Sequence, residues 1–530
     1  MAAASIFDIA LTGCSNFVES IPCLGPAAAP TPVPGMTYIR ASEIGCSLDC
    51  DLTNGRSKNT GGPAPDDGPR INAAMAKASP SHPITFIIDG GVLISGLFLP
   101  AGGDWSIAGL GCGTGFFVKT GTNNDGIHNG PHVVLPNSPG PPAPAIRGSN
   151  VSLSNFTLNG NAGNGFNGDS TSGKRQGSPD WFFGINLVNL DNITIENVVV
   201  VNTPAYHFLF SNVGNVSVSG CYMRSPGVNN DGLHFDGPAN DIVISNCTFI
   251  TGDDSIALNC PEGYTGSISR VKVTGCTFNS FSLMRMYTTA GGPLKFTVND
   301  VTVSNCTGTL AETCFFLGLA PDPEPDSITS LTISDCNLAA PTVLALAENF
   351  GSIALNNVTW VPDEPDTYWS ASQTNHISAF VRPSPFGGVK CTGSSISFSN
   401  CQIVRKSNIQ TAAFIFEDGT SIDNVEFNGF AVRNSGSYAP LPALLNMEAG
   451  SIGNLVFNAV DPGNIQAPVE SGGFSHVKTV SGPGVLWTGW SFPDAVMADR
   501  VPYISASTGR PSIKIDGVVE PYSSSGAWPS

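Results

Sequence analysis

The stretch Ile242-Val-Ile-Ser-Asn-Cys-Thr-Phe-Ile-Thr251 decides the fold. Apolar side chains alternate with solvent-facing positions, a Ser-Asn pair interrupts the run, and a Cys opens a second short apolar segment. Alternation with a period of two marks a strand with one buried face, and Asn suits the bend that ends it. The same phrase reads VSLSNFTLNG from Val151, ITIENVVVVN from Ile193, VSVSGCYMRS from Val216, VKVTGCTFNS from Val271, VTVSNCTGTL from Val301 and LTISDCNLAA from Leu331. It continues as IALNNVTWVP from Ile353, ISFSNCQIVR from Ile396, VEFNGFAVRN from Val425 and LVFNAV from Leu455. From Ile193 onward the starts lie 23, 26, 29, 30, 30, 22, 43, 29 and 30 residues apart. A repeat that keeps this spacing through insertions belongs to a solenoid, and the two-residue alternation makes it a β-solenoid.

Stacked rungs about 4.8 Å apart pair each strand with its equivalents above and below, so side chains at equivalent positions stack as well. Cys221, Cys247, Cys276, Cys306, Cys336 and Cys401 share one slot of the phrase with Phe156, Val198, Val358 and Phe430. A slot that accepts Phe and Val holds small apolar fillers, so buried free thiols are expected there. Asn155, Asn192, Asn246, Asn305 and Asn357 each begin an Asn-X-Ser/Thr triplet. The turn chemistry of the rung accounts for these Asn residues without glycosylation.

The fold expected is all-β, a right-handed parallel β-helix with a short N-terminal capping segment. Residues 1–65 form an irregular Pro- and Gly-rich segment, 66–470 the β-helix body, and 471–530, where the phrase fades, a C-terminal cap. Asp66-Asp67-Gly-Pro-Arg-Ile-Asn-Ala-Ala-Met reads as the start of a short amphipathic helix, fit to close an open solenoid end. Cys14, Cys23, Cys46 and Cys50 lie in the N-terminal segment with room for two disulfides, and no His stands beside them at zinc-ligand spacing.

Sixty Gly and 41 Pro supply turn residues throughout, and only 12% of the chain is charged. A net charge of −18 and the lack of any Lys/Arg run argue against nucleic acid as a partner. No apolar stretch approaches the roughly 20 residues that span a bilayer, so no membrane partner is expected. The chain opens Met1-Ala-Ala-Ala-Ser-Ile-Phe-Asp without the basic region of a secretory signal. An extracellular location is expected with no clear signal peptide, and the sequence gives no indication of an oligomer.

Two successive rungs carry the chemistry: Asn229-Asn-Asp231-Gly-Leu-His234-Phe-Asp236 and Gly252-Asp253-Asp254-Ser-Ile-Ala-Leu-Asn259. A 23-residue register sets Leu233 over Ile256, Phe235 over Leu258 and Asp231 over Asp254. Asp-Gly and Gly-Asp-Asp taken singly are common turn sequences. On adjacent rungs, however, they gather Asp231, Asp253 and Asp254 within several ångströms, where mutual repulsion holds one acid protonated while a neighbour stays a base. Glycosidic cleavage needs that division, with carboxyl groups roughly 6.5–9.5 Å apart indicating inversion.

Around residues 229–259 the sequence resembles the polygalacturonase-like glycoside hydrolases of family 28, in the pectin-lyase-like β-helix superfamily. That family's Asn-X-Asp and following Gly/Gln-Asp-Asp motifs match Asn229-Asn230-Asp231 and Gly252-Asp253-Asp254. The resemblance implies Asp253 as general acid, with Asp231 and Asp254 positioning and activating water, and neither metal nor cofactor. Its Gly-His-Gly falls on Ser280–Met286, where Ser282 takes the His slot, and its Arg-Ile-Lys falls on Glu312-Thr-Cys-Phe-Phe316, which lacks a cation. A polysaccharide or oligosaccharide other than plain galacturonan is therefore expected as substrate. Asn229, Asp236, and His234 with Arg285 on one outward column are candidate sugar contacts, and Tyr206 and His207 a candidate stacking surface. Two alternatives remain: a polysaccharide lyase and a tailspike-like glycan-binding β-helix without catalysis.

Overall fold

The computed structural model describes residues 22, 25–131, 141–162, 182–225, 227, 229–288, 296–318, 327–362, 379–383, 391–406, 412–416, 419–447, 449–485, 488 and 490–522. Almost all of the regular structure is strand, and Gly68–Met75 is the one α-helix among the described residues. The chain divides into two compact units. One runs to Asn299 and takes in Thr307–Ala311; the other holds Asp300–Cys306 and most of the chain from Glu312 onward.

In the first unit, strands Thr37–Arg40, Ile84–Ile88, Gly103–Gly109, Gly148–Ser154, Ile185–Glu196, Phe208–Ser219, Leu233–Ser245 and Asp254–Thr274 pair in parallel, each with the next. A second parallel ladder runs through Gly91–Ile94, Gly115–Val118, Thr157–Asn159, Val199–Val201, Tyr222–Ser225, Thr248–Thr251 and Thr277–Thr288. Parallel ladders between consecutive turns of the chain are the defining feature of a β-helix. The repeat register holds residue for residue: Ile193 pairs with Val216, Val216 with Ile242 and Ile242 with Val271. All four are buried, and their column forms part of the interior.

The cysteine slot behaves as its tolerance for Phe and Val requires. Cys221, Cys247 and Cys276 are buried free thiols, as are Cys306, Cys336 and Cys401 in the second unit. The same slot buries Phe156, Val198, Val358 and Phe430. The bends explain the recurring Asn. Asn155, Asn192, Asn246, Asn305 and Asn357 have φ between 53° and 57°. Few side chains but Asn tolerate that left-handed region, and Gly220 and Gly275 replace Asn at equivalent bends with φ of 61° and 66°. Stacked bends also bond to each other, as where Asn215 Nδ2 donates to Asn192 Oδ1 at 2.7 Å.

Helix Gly68–Met75 starts where the Asp signal places it and buries Ile71 and Met75. Asp67 stands at the N-cap position without bonding the helix backbone in that role. Its carboxylate accepts instead from the Ser47 N–H and from Arg70. Cys46 and Cys50 are buried free thiols, which removes both from the disulfides for which the N-terminal sequence left room; Cys14 and Cys23 lie outside the described residues. Cys112 is in a disulfide.

The second unit repeats the scheme. Leu331, Ile353, Ile396, Val425 and Leu455 pair in sequence, matching the rung starts read from the sequence. One further rung, Val477–Ser481, pairs with Ser451–Asp461 beyond the point where the phrase fades. A separate four-stranded sheet follows, formed by Ser491–Phe492, Pro502–Ser505, Pro511–Ile515 and Val518–Pro521. The insertions at 159–185 and 361–395 fall largely outside the described residues.

Candidate active site

The 23-residue register is the observed one: Leu233 pairs with Ile256 and Phe235 with Leu258. Backbone bonds carry it into the acidic motifs, since the Gly232 N–H donates to the Asp254 carbonyl at 2.9 Å and the His207 N–H to the Asp231 carbonyl at 2.8 Å. The glycines beside the acids are required by close packing, not by an unusual turn. A Cβ on Gly252 would lie 1.9 Å from the Gly227 carbonyl oxygen, and one on Gly232 would lie 2.4 Å from that of Ser255. Buried Asn230 pins the first motif to the preceding rung by donating to the carbonyls of Thr203 and Ala205.

Asp231, Asp253 and Asp254 meet as expected, with one carboxylate oxygen from each within 4.8 Å of the others. Their surroundings differ. Asp231 is buried and its Oδ2 lies 2.6 Å from His234 Nδ1. Burial pushes its pKa up to about 6, against the hydrogen bond and charge of His234. Asp254 is buried with Ser282 Oγ donating to Oδ1 and Arg285 Nη1 3.5 Å from Oδ2. Asp253 keeps part of its surface in solvent. Burial, then repulsion from Asp254 and Asp231, holds its carboxyl well above the usual range, opposed by Arg285 and by the Asn229 backbone N–H. Asn229 contributes this main-chain contact from a bend with φ 53°.

His234 and Arg285 share a column, with Ala257 between them. The sequence suggested an outward column of sugar contacts, but His234 is only 1% exposed. Its Nε2 lies 3.1 Å from Glu262 Oε2 and 3.2 Å from Asp236 Oδ1. Burial alone would lower the His234 pKa, yet the hydrogen bonds of Asp231, Asp236 and Glu262 overcome it and hold the imidazole protonated well above its usual range. Asp236 is fully buried and accepts from Ser211 Oγ at 2.7 Å.

Tyr206 lies between two rings, with centroids 3.9 Å from His234 and 5.0 Å from Phe183 and nearly parallel planes to both. Its two faces are occupied, so it offers a ligand only its edge and hydroxyl. His207 is fully buried and its Nδ1 donates to the Asp231 carbonyl at 2.7 Å, which places it beneath the acids; burial lowers its pKa to about 4. Arg285 also lies over the Tyr287 ring at 5.8 Å. In the segment aligned with Arg-Ile-Lys, Thr313, Cys314, Phe315 and Phe316 are buried and carry no cation.

Sequence reasoning did not single out Glu262. It sits in Pro261-Glu-Gly-Tyr264, which reads as a turn, just where the register between Leu233–Ser245 and Asp254–Thr274 shifts. Among the described residues, two groups have ligand atoms close enough to hold a metal ion: the three aspartates, and His234 with Asp236 and Glu262.

Residues 142–315, which include every acid of the site, match the family model described as Glycosyl hydrolases family 28. A polygalacturonase of Penicillium griseoroseum is 26% identical over 226 residues, which are 41% of this chain and 54% of that protein. The chain thus spans about half the length of this curated relative. Among solved structures, the family 28 exopolygalacturonase of Yersinia enterocolitica superimposes with a TM-score of 0.47 at 12% identity, covering 82% of this chain and 79% of that one. A tailspike protein of Escherichia coli bacteriophage HK620, solved with a pentasaccharide, gives 0.48 at 9% identity, covering 82% and 80%. Over residues 142–315, on a body of stacked parallel rungs, the chain is thus similar to the family 28 glycosyl hydrolases and, in part of its length, to a polygalacturonase.

Proposed function

We propose that the chain is a glycoside hydrolase that cleaves a polysaccharide or oligosaccharide by an inverting Asp-based mechanism. The observation that carries this reading is the unequal provision of donors to three clustered carboxylates. Among the described residues, His234 serves Asp231, Ser282 and Arg285 serve Asp254, and Asp253 has a main-chain N–H. Asp253 then protonates the leaving oxygen, while Asp231 and Asp254 hold and deprotonate the attacking water. One oxygen from each carboxylate lies within 4.8 Å of the others, so the three can meet a single water.

Without a free cation to meet a uronate at Glu312–Phe316, and with Arg285 bonded to Asp254, a neutral or differently decorated glycan fits better than plain galacturonan. Asn229, Asp236, His234, Arg285, Tyr206 and His207 shape the site, His234 and His207 from within. We further propose a right-handed winding, the sense that parallel crossovers overwhelmingly adopt. Residues 1–65 and 471–530, which also add the ladder strands Thr37–Arg40 and Val477–Ser481, would close the ends of a body at 66–470. An extracellular location accords with a polysaccharide substrate. No described helix is long and apolar enough to cross a membrane.

The test is reducing-end release from a panel of neutral and acidic polysaccharides, with and without Ca²⁺, alongside the ultraviolet absorbance of unsaturated products. New reducing ends without that absorbance, absent in Asp253→Asn, and a product of inverted anomeric configuration by NMR are expected. A Ca²⁺-dependent rise in absorbance would instead identify a lyase using the aspartates as oxygen ligands. Retained glycan binding with no product from any substrate would identify a binding protein.

A further inference from the structure

Behind Asp231 lies a chain of buried polar groups of which the three-aspartate reading uses only His234. His234 connects it, with Nδ1 on Asp231 Oδ2 at 2.6 Å and Nε2 facing Glu262 Oε2 at 3.1 Å and Asp236 Oδ1 at 3.2 Å. The outer acids are held in turn: Asn259 Nδ2 donates to Glu262 Oε2 at 3.1 Å and Ser211 Oγ to Asp236 Oδ2 at 2.7 Å. Tyr206 stacks on the imidazole at 3.9 Å and keeps its plane fixed. A neutral imidazole has one N–H and could serve only one side of this chain. A doubly protonated ring donates from both nitrogens to ionised carboxylates, whereas a neutral ring fits only if one of the facing acids carries the proton instead. Gly263 is part of the same construction: its φ is 69°, and a Cβ there would lie 2.6 Å from Asp236 Cβ. The bend thus turns Glu262 back against the rung below.

We infer that Glu262 and Asp236 are positioning residues acting through His234: the imidazolium they hold clamps Asp231 Oδ2, fixing Asp231 on the base side and leaving Asp253 to carry the catalytic proton. This rests on the hydrolase reading for its catalytic meaning, but the clamp itself is a charge state that can be observed without turnover. The charged and titratable groups facing His234 are Asp231 and Asp236 from its own strand segment, Glu262 from the next strand and Tyr206 from the preceding rung. Arg285, Asp253 and Asp254 lie just beyond.

The direct measurement is NMR of the full chain with nitrogen-labelled histidine. Among seven His residues, one imidazole is expected to remain doubly protonated at about pH 8, where free histidine with a pKa near 6.5 is neutral, and to vanish in His234→Asn. The kinetic measurement compares pH profiles of kcat/KM for wild type, Glu262→Gln and Glu262→Asp. Neutralising Glu262 weakens the cation that keeps Asp231 ionised, so the acid limb is expected to move up by about one pH unit. Glu262→Asp should bring it back toward wild type. A residue that merely packs would lower activity at all pH values and leave the limb in place, and that result would overturn the inference. So would a neutral His234 at pH 8, or one equivalent of divalent metal bound by wild type and lost in Glu262→Gln. If no glycan is hydrolysed the functional reading fails, and the NMR result still decides whether the clamp exists.

Discussion

Neutralising Asp253 should stabilise the protein while abolishing turnover, and the gain should depend on pH. Asp253 has an ordinary pKa of 3.8 that burial, Asp254 and Asp231 raise well above that value in the folded chain. A raised carboxyl pKa means that the folded state binds a proton the unfolded state has released. Stability therefore falls as pH rises from the unfolded pKa and stops falling above the folded one. At about 1.36 kcal/mol per pH unit, the penalty at pH 6 has a ceiling near 3 kcal/mol. Asp253 is partly in solvent, so screening brings the expected effect to about 1–2 kcal/mol. Asn at this position keeps the size and the acceptor for the Asn229 N–H. Melting curves of wild type and Asp253→Asn should thus coincide near pH 4 and separate by a few degrees near pH 6, the variant melting higher. A variant that melts lower throughout, or by an offset independent of pH, would refute the reasoning, because the cluster would then not be a site of electrostatic strain.

Because Asp231 must be ionised to act as a base and its pKa is about 6, kcat/KM should fall roughly tenfold per unit as pH drops below that value; a profile flat down to pH 4.5 would exclude it as the base. Ser282→Ala removes the hydroxyl that donates to Asp254 Oδ1, and should lower kcat about tenfold or more, in line with the ~1.5–3 kcal/mol of a hydrogen bond to a charged group. Steady-state kinetics check this, with the circular dichroism of the variant as the control for folding. Phe210 is fully buried and stacked on Phe235 at 4.6 Å, so Phe210→Ala should cost roughly 3–5 kcal/mol, read as a drop in the urea midpoint.

The fold was legible because one phrase, repeated, states the strand period, the bend and the interior slot together. Aligning that phrase gave the observed partners of Val216, Ile242 and Leu455, and of Leu233 across the acidic motifs. The aspartate trio followed from the same register. What the phrase could not show is burial imposed from outside the rung. His234 occupies a position that points away from the apolar interior, and an outward side chain in a solenoid is ordinarily wet. It is dry here because Tyr206 covers it and Glu262 folds back from a register shift, and neither obeys the repeat. The same limit applies to Tyr206: its aromatic character suggested a stacking platform, but Phe183, one rung earlier, already occupies one face.

The ladder also explains how three like charges can be held together. Asp231 and Asp254 stand at equal register at the head of paired rungs, and their carbonyls accept the N–H groups of His207 and Gly232. Their separation is set by the backbone, one rung of about 4.8 Å, and side-chain repulsion can relax it only by breaking ladder bonds. The chain leaves the backbone intact and treats the acids unequally. His234 lies against Asp231, and Ser282 and Arg285 against Asp254, so two of the three can bear charge. The third then has most to gain from a proton. The proposed division into one acid and two bases would follow in this way from one repeated register and from donors that, among the described residues, favour two of its three aspartates.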